Sequence, residues 1–269
     1  MNKRLMFSAA LVMALLSANA QKRAFTIEDL YRVKGVSSVS LSPDGKTVCY
    51  TVSSSDLKNE KSGADICIMN ADGSHAKALT EDGKSSSAVW SKDGKSIFFT
   101  NYEKGTAQIF RMDLTTCETE QVTDYELGIG SPVISPDERY IAFTAEVYPD
   151  LGADAKANKA RMEKKEQGPV QAHIADKLLY RHWTSYNDGR CNHLILFDTQ
   201  TKTYKDLTPG NYSLIFVVGG GITYQFSPDS KEICFVSNHD EHQEASTNAD
   251  LWTVSVNGGE PVCITKENK

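Results

Sequence analysis

Several chemistries are missing from this chain, and each absence removes a class of function. No G-x-S-x-G nucleophile elbow, Walker A loop or H-E-x-x-H pair occurs in the 269 residues. So the sequence itself carries no hydrolase serine site, phosphate-cradling loop or helical zinc pair. There is no C-x-x-C, and the six cysteines (Cys49, Cys67, Cys117, Cys191, Cys234, Cys263) are scattered, which argues against structural zinc. Basic residues are not in excess: 29 Lys and Arg face 35 Asp and Glu, for a net charge of −6. That balance offers no general electrostatic case for nucleic acid. No cofactor motif is present.

Long hydrophobic runs are also lacking. The longest, Leu5 to Leu16, is broken only by Ser8 and is too short to span a bilayer. It follows Lys3 and Arg4 and precedes Ala18-Asn19-Ala20, a small-x-small cleavage site before Gln21. Residues 1–20 therefore read as a signal peptide, predicting a periplasmic or secreted product of a bacterial cell. No cysteine follows the cleavage site, so no lipid anchor is expected there. Removal takes away Lys3 and Arg4 and leaves a mature charge of −8. An oxidising compartment permits disulfides. Cys49 and Cys67 fall on strands expected to be neighbours and are a candidate pair; the alternative is that the cysteines serve as small apolar side chains on strands.

What is present is a repeat. Ser42-Pro43-Asp44-Gly45 returns as Ser91-Lys92-Asp93-Gly94, Ser135-Pro136-Asp137-Glu138 and Ser227-Pro228-Asp229-Ser230. Each copy lies between short apolar runs, and its residues are turn formers: Pro presets φ, Asp bonds back to nearby N–H groups, and Gly accepts positive φ. Spacings of 49, 44 and 92 residues indicate a repeat with extra material in the third unit. A second phrase recurs at Ala78-Leu79-Thr80, Gln121-Val122-Thr123, Asp206-Leu207-Thr208 and Cys263-Ile264-Thr265. Four strands per period of about 40–45 residues is the size of a propeller blade. The predicted fold is all-β: blades of four antiparallel strands over 36–82, 83–126, 127–210 and 211–269. A segment at 21–35 precedes them, in which Thr26 and Asp29 form a capping box for a short helix.

The third blade carries an insertion over 147–192 between its second and third strands. Ala153 to Gln167 is helix-permissive, and His173 to Tyr180 is a second candidate helix. An aromatic and basic cluster, Tyr180 to Arg190, follows. Long insertions into repeats lie on one face and often carry function. Here Arg181 is a candidate clamp for a carboxylate or carbonyl, Trp183 and Tyr186 candidate pocket walls, and Asp188 or Glu146 a candidate partner for an amine. The competing structural reading is that the aromatics pin the insertion to the propeller and Arg181 makes a structural ion pair. His239-Asp240-Glu241-His242 reads as a solvated loop rather than a metal site. Gly219 to Gly221, with no helix following, reads as a tight connection.

Phe25-Thr26-Ile27-Glu28-Asp29-Leu30, then Val39 to Lys46 and Tyr50-Thr51-Val52, resemble the start of S9 serine peptidases, the prolyl oligopeptidase family. Leu179-Tyr180-Arg181-His182-Trp183, with Asp188-Gly189 and His193-Leu194, is similar to the acylaminoacyl-peptidase and bacterial dipeptidyl-peptidase V branch. The blade phrases equally resemble TolB-like propellers. The resemblance covers residues 25–265. It implies an N-terminal propeller of seven or eight blades that gates access and helps bind the N-terminal side of a peptide substrate. In that family an α/β-hydrolase domain carrying Ser, Asp and His follows. The four blades end at Lys269 without that domain, so no catalytic residue carries over, and the expectation is an incomplete propeller from a truncated or partial sequence, inactive alone. The rival expectation is a non-enzymatic TolB-like propeller that binds a protein partner in the cell envelope.

Overall fold

A computed structural model of the chain describes residues 23–170, 172–175, 178–214 and 222–267. The signal peptide and the Gly219–Gly221 connection lie outside the described residues. The described chain forms four four-stranded antiparallel sheets in sequence order. The first comprises β1 (Gly35–Leu41), β2 (Thr47–Asp56), β3 (Lys61–Asn70) and β4 (Lys77–Ala78). The second comprises β5 (Ser85–Trp90), β6 (Ser96–Asn101), β7 (Gln108–Asp113) and β8 (Thr119–Gln121). In the third, β9 (Gly130–Ile134) and β10 (Tyr140–Val147) are followed, after the insertion, by β13 (Cys191–Asp198) and β14 (Thr203–Asp206). The fourth holds β15 (Tyr224–Phe226), β16 (Glu232–Ser237), β17 (Asp250–Ser255) and β18 (Val262–Cys263).

The turn phrase builds the same hydrogen-bond cage four times. Ser42 Oγ donates to Asp44 Oδ1 (2.7 Å) and accepts from Thr47 N (2.9 Å), and Asp44 Oδ1 accepts from Lys46 N (3.1 Å). Ser91 with Asp93, Ser135 with Asp137, and Ser227 with Asp229 repeat it. The fourth position has φ between 60° and 72° in every copy, although only Gly45 and Gly94 are glycine there; Glu138 and Ser230 adopt it too. The turns also touch in sequence: Glu138 Oε1 accepts from Lys92 N, and Asp137 N donates to Ser230 Oγ at 3.2 Å. Consecutive blades therefore bring this end of their sheets together, and the long connections, including the insertion, lie at the opposite ends.

The threonine of the second phrase ties the outer strand to its neighbour. Thr80, Thr123, Thr208 and Thr265 each accept, through Oγ1 at 2.9 Å, the N–H of Ile66, Ile109, Leu194 and Leu251 respectively. A further repeat lies in the backbone. Ser38, Ser87 and Ser131, each four residues ahead of the turn serine, take positive φ where the first strand of their blade bulges.

Burial lies between blades. Cys49, Ile66, Ala88, Ile97, Phe99 and Met112 form one cluster between the first and second blades. Phe98, Ile109, Tyr125, Ile141, Phe143 and Phe197 anchor the next, and Leu194, Leu196, Tyr224, Phe226, Ile233 and Phe235 the third. No buried cluster among the described residues joins the fourth blade to the first. Val36, Val39 and Leu41 on the first blade, and Val262 and Ile264 on the fourth, stay more than half exposed. Blade faces bury apolar surface only against neighbours, so this is an incomplete propeller.

One expectation changes, and the two cysteine readings are separated. Residues 172–175 and 178–180 are exposed and carry no regular secondary structure rather than a helix. So short a segment pays the nucleation cost of a helix, and here no apolar face is buried in return. The Cys49–Cys67 pair does not form, and all six cysteines are free. Cys49 registers with Ile68, and Tyr50 with Cys67, so the two thiols project from opposite faces of the sheet. Burial pushes the Cys49 thiol up to about 12, the mark of an inert apolar filler. Among the described residues no helix is long and apolar enough to cross a membrane.

At the N-terminus, α1 (Ile27–Arg32) starts at Thr26, whose N–H donates to Asp29 Oδ2 at 3.0 Å as the capping box requires.

Candidate functional site

The insertion is built on a rigid base. β10 runs through Glu146 and Val147, and Tyr148 follows, 4 % exposed. Asn158, fully buried in the charge-rich helix α2 (Ala155–Glu166), closes the next turn. Its Oδ1 accepts from Tyr148 N (2.7 Å), and its Nδ2 donates to the carbonyls of Gly152 (3.0 Å) and Asp154 (2.8 Å). Asp154 caps α2 by accepting from Ala157 N at 3.0 Å. The helix has no apolar stripe. It is held by Arg161, which forks onto Asp150 (2.7 Å to each oxygen) and lies over the Tyr148 ring, and by Lys159 against Glu126. Tyr125 Oη donates to Ala153 O at 3.3 Å, fastening the insertion to the second blade.

The chain returns through Asp188 and Arg190. Arg190 Nε lies 3.0 Å from both Asp188 oxygens, Arg190 Nη1 3.1 Å from Glu146 Oε2, and Tyr148 Oη donates to Asp188 Oδ2 at 3.2 Å. Burial works to raise the Asp188 carboxyl, but the Arg190 guanidinium and its hydrogen bonds outweigh that and hold it below the usual carboxylate range. The structure thus brings Glu146 and Asp188 together, on the shared guanidinium of Arg190. Arg190, at the edge of the aromatic and basic cluster, has no distinguishing signal in the sequence, because its role comes from partners at Glu146 and Asp188. Asn158 gave no sequence signal, because its importance depends on which backbone it meets.

Above this base stands a two-residue hairpin, β11 (Arg181–His182) paired with β12 (Ser185–Tyr186). Asn187 N donates to Tyr180 O at 2.9 Å and closes its foot. Trp183 occupies the first loop position with φ 48° and is 85 % exposed. Tyr186 stacks on His173, with ring centroids 4.0 Å apart and planes 6° from parallel. Ile174, Leu178 and Leu179 beside the hairpin are exposed as well. So Arg181, Trp183 and Tyr186 share one projecting hairpin, while Glu146 and Asp188 sit at its root.

Beneath the insertion, His193 is fully buried at the start of the third strand. In the other blades this position holds Asp65, Gln108 and Asp250, which accept from the phrase threonine. In the 238–250 loop, His239 is sandwiched between Tyr212 and Trp252, His242 pairs with Glu244, and Asp240 accepts from Ser246 and Asn248.

Four-stranded antiparallel blades stacked in chain order, with a helical insertion in the third, define a β-propeller domain. The chain belongs to the TolB β-propeller domain family, whose model matches residues 20–167. The model of the dipeptidyl peptidase IV N-terminal region matches residues 152–269. Dipeptidyl-peptidase 5 of Porphyromonas gingivalis is 29 % identical over 231 residues, which is 83 % of this chain and 33 % of that protein. The chain spans about a third of the length of the curated relatives it matches. Acylaminoacyl peptidase from Pyrococcus horikoshii has the same fold, with a TM-score of 0.62 at 16 % identity over 90 % of this chain and 34 % of that one. TolB from Acinetobacter baumannii gives 0.50 at 18 % identity, over 82 % of this chain and 41 % of that one. The chain is a propeller portion of the kind S9 peptidases carry, with TolB-like repeats.

Proposed function

We propose that this chain is the propeller portion of an exported serine exopeptidase of the dipeptidyl-peptidase type, periplasmic or secreted. Its third-blade insertion gates access and helps bind the N-terminal side of short peptides. The observation that carries this reading is the insertion itself: an exposed Arg181–Trp183–Tyr186 hairpin on a base locked by Arg190, Asp188, Tyr148 and Asn158. Exposed aromatic rings at a rigid root suit a surface that meets a ligand, since little order remains to be imposed on binding. Arg181 supplies the fork for a peptide carboxylate or carbonyl, and the rings supply apolar walls. An incoming amine would compete with Arg190 for Glu146 and Asp188. The chain holds no nucleophile elbow, so its part is binding and access rather than bond cleavage.

The test reads the coding DNA past the codon for Lys269, expresses the whole product and measures dipeptide release from chromogenic dipeptidyl substrates. The reading expects a G-x-S-x-G downstream, dipeptide release, and a KM raised several-fold by Arg181→Ala and Trp183→Ala with kcat little changed. A stop codon with no hydrolase encoded, or a whole product that releases no dipeptide, overturns it. A TolB-like module docking an envelope protein would then take its place.

A further inference from the structure

The insertion holds one large apolar side chain that no core uses. Apart from alanine, Met162 is the only apolar residue of α2. It is half-buried and belongs to none of the three buried clusters among the described residues. Its sulfur faces the root of the insertion instead, with Arg190 Nη1 3.8 Å from Met162 Sδ. The same guanidinium places Nε 3.0 Å from each Asp188 oxygen and Nη1 3.1 Å from Glu146 Oε2. A guanidinium has five N–H donors, two of them on Nη1, so one Nη1 donor serves Glu146 and the other is within reach of Met162.

A thioether sulfur is a weak acceptor, so this contact holds α2 only loosely. Oxidation changes its chemistry. A methionine sulfoxide is polar, and where the side chain fills a core the change is disruptive. Met162 fills no core and faces a cation. An oxygen on its sulfur would lie close to the guanidinium and accept a charge-assisted hydrogen bond, which is stronger than the contact it replaces. Here oxidation should therefore tighten the structure rather than loosen it.

We propose that Met162 is an oxidation site, converted to the sulfoxide by a peroxide, and that the sulfoxide oxygen accepts from Arg190 and fastens α2 to the base of the insertion. The Sδ lone pair attacks one peroxide oxygen. An S–O bond forms, the O–O bond breaks, and with hydrogen peroxide the other oxygen leaves as water. The sulfur is oxidised by two electrons and the peroxide reduced by two. This site does not depend on the peptidase reading.

The test treats the folded full chain with hydrogen peroxide, locates the added oxygen by peptide mass, and then follows limited digestion by a Glu-specific protease at Glu163 and Glu166. Beyond residue 20 the other methionines are Met69 on β3 and Met112 on β7, both outside the insertion. The proposal expects oxygen on Met162 and cleavage at Glu163 and Glu166 slowed at least threefold. Met162→Leu keeps the volume and the helix propensity, and peroxide should leave its digestion unchanged, which sets aside effects of the other methionines and the cysteines. Met162→Gln carries an acceptor oxygen of its own and should be protected without peroxide. Met162 left unoxidised by peroxide, oxidised Met162 with cleavage unchanged or faster, or equal slowing in Met162→Leu overturns the proposal.

Discussion

His193 Nδ1 lies 2.7 Å from Asp206 Oδ2 in the buried seam beneath the insertion, and its Nε2 lies 2.9 Å from the Gly210 carbonyl oxygen. An ionised carboxylate and a carbonyl both only accept, so both ring nitrogens carry protons and the ring is an imidazolium. Burial opposes that charge, but the Asp206 carboxylate, the Cys191 side chain and the Gly210 carbonyl outweigh it and raise the pKa from 6.5 to about 9. One side chain thereby holds the outer strand of the third blade and the connection to the fourth.

A raised pKa stabilises the fold when the group is charged. The contribution is complete below the unfolded value of 6.5 and is lost as pH rises through about 9. Urea midpoints of the natural chain should fall from pH 6.5 to 9.5, and the fall should be much smaller in His193→Gln. Asp206→Asn, which leaves the imidazolium without its countercharge, should cost about 3–5 kcal/mol. Parallel pH curves for the natural chain and His193→Gln would remove the pair from the stability account.

The turn cages differ in burial, which sets unequal costs for one substitution. Ser135 is 2 % exposed, and its Oγ accepts from Tyr140 N at 2.9 Å while donating to Asp137 at 2.6 Å. Ser135→Ala leaves the Tyr140 N–H buried with that bond unmade, at about 1–3 kcal/mol. Ser227 makes the equivalent bonds half-exposed, where water substitutes, so Ser227→Ala should cost about 0.5–1 kcal/mol. Equal shifts in denaturation midpoint would mean that the cages are not what burial makes them.

These cages were legible in the sequence because turn chemistry is local. Ser, Pro, Asp and Gly fix a turn within five residues, and four copies made the period visible. The aromatic-basic cluster could also be found, since Arg181, Trp183 and Tyr186 are adjacent in the chain and share one hairpin. What could not be read depends on distant partners. Asn158 sits in a helix with no apolar face, and only the fold shows that it satisfies Tyr148 and Gly152. Cys49 and Cys67 are on neighbouring strands, but a register offset of one residue sets their thiols on opposite faces. His193 occupies a position where the other blades carry acceptors, and its partners Asp206 and Gly210 are 13 and 17 residues away.

The signal-peptide reading sets the mature N-terminus. Intact-mass measurement of the product exported by a bacterial host should show a chain beginning at Gln21. Retention of residues 1–20 in an exclusively cytoplasmic product would contradict export.

Arg190 ties the end of the insertion to its base. Its guanidinium bridges Asp188 and Glu146, Nη1 lies 3.8 Å from Met162 Sδ on α2, and Lys165 Nζ donates to Asp188 O at 2.9 Å. Arg190→Met leaves two carboxylates facing one another with no cation between them, one of them half-buried, and releases the end of α2 from the third blade. The four sheets keep their own cores between blades, so the loss should be local. Limited digestion with a Glu-specific protease should then cut at Glu163 and Glu166 at least tenfold faster than in the natural chain, while the urea midpoint of the sheets moves little. Arg190→Lys keeps the charge but not the fork and should fall between the two. If Arg190→Met is no more susceptible than the natural chain, α2 is held by Arg161–Asp150 and Asn158 alone, and Arg190 is only a partner of surface acids. If the sheets unfold together with the insertion, the third blade depends on the insertion for its stability, and the hairpin cannot move as an independent gate.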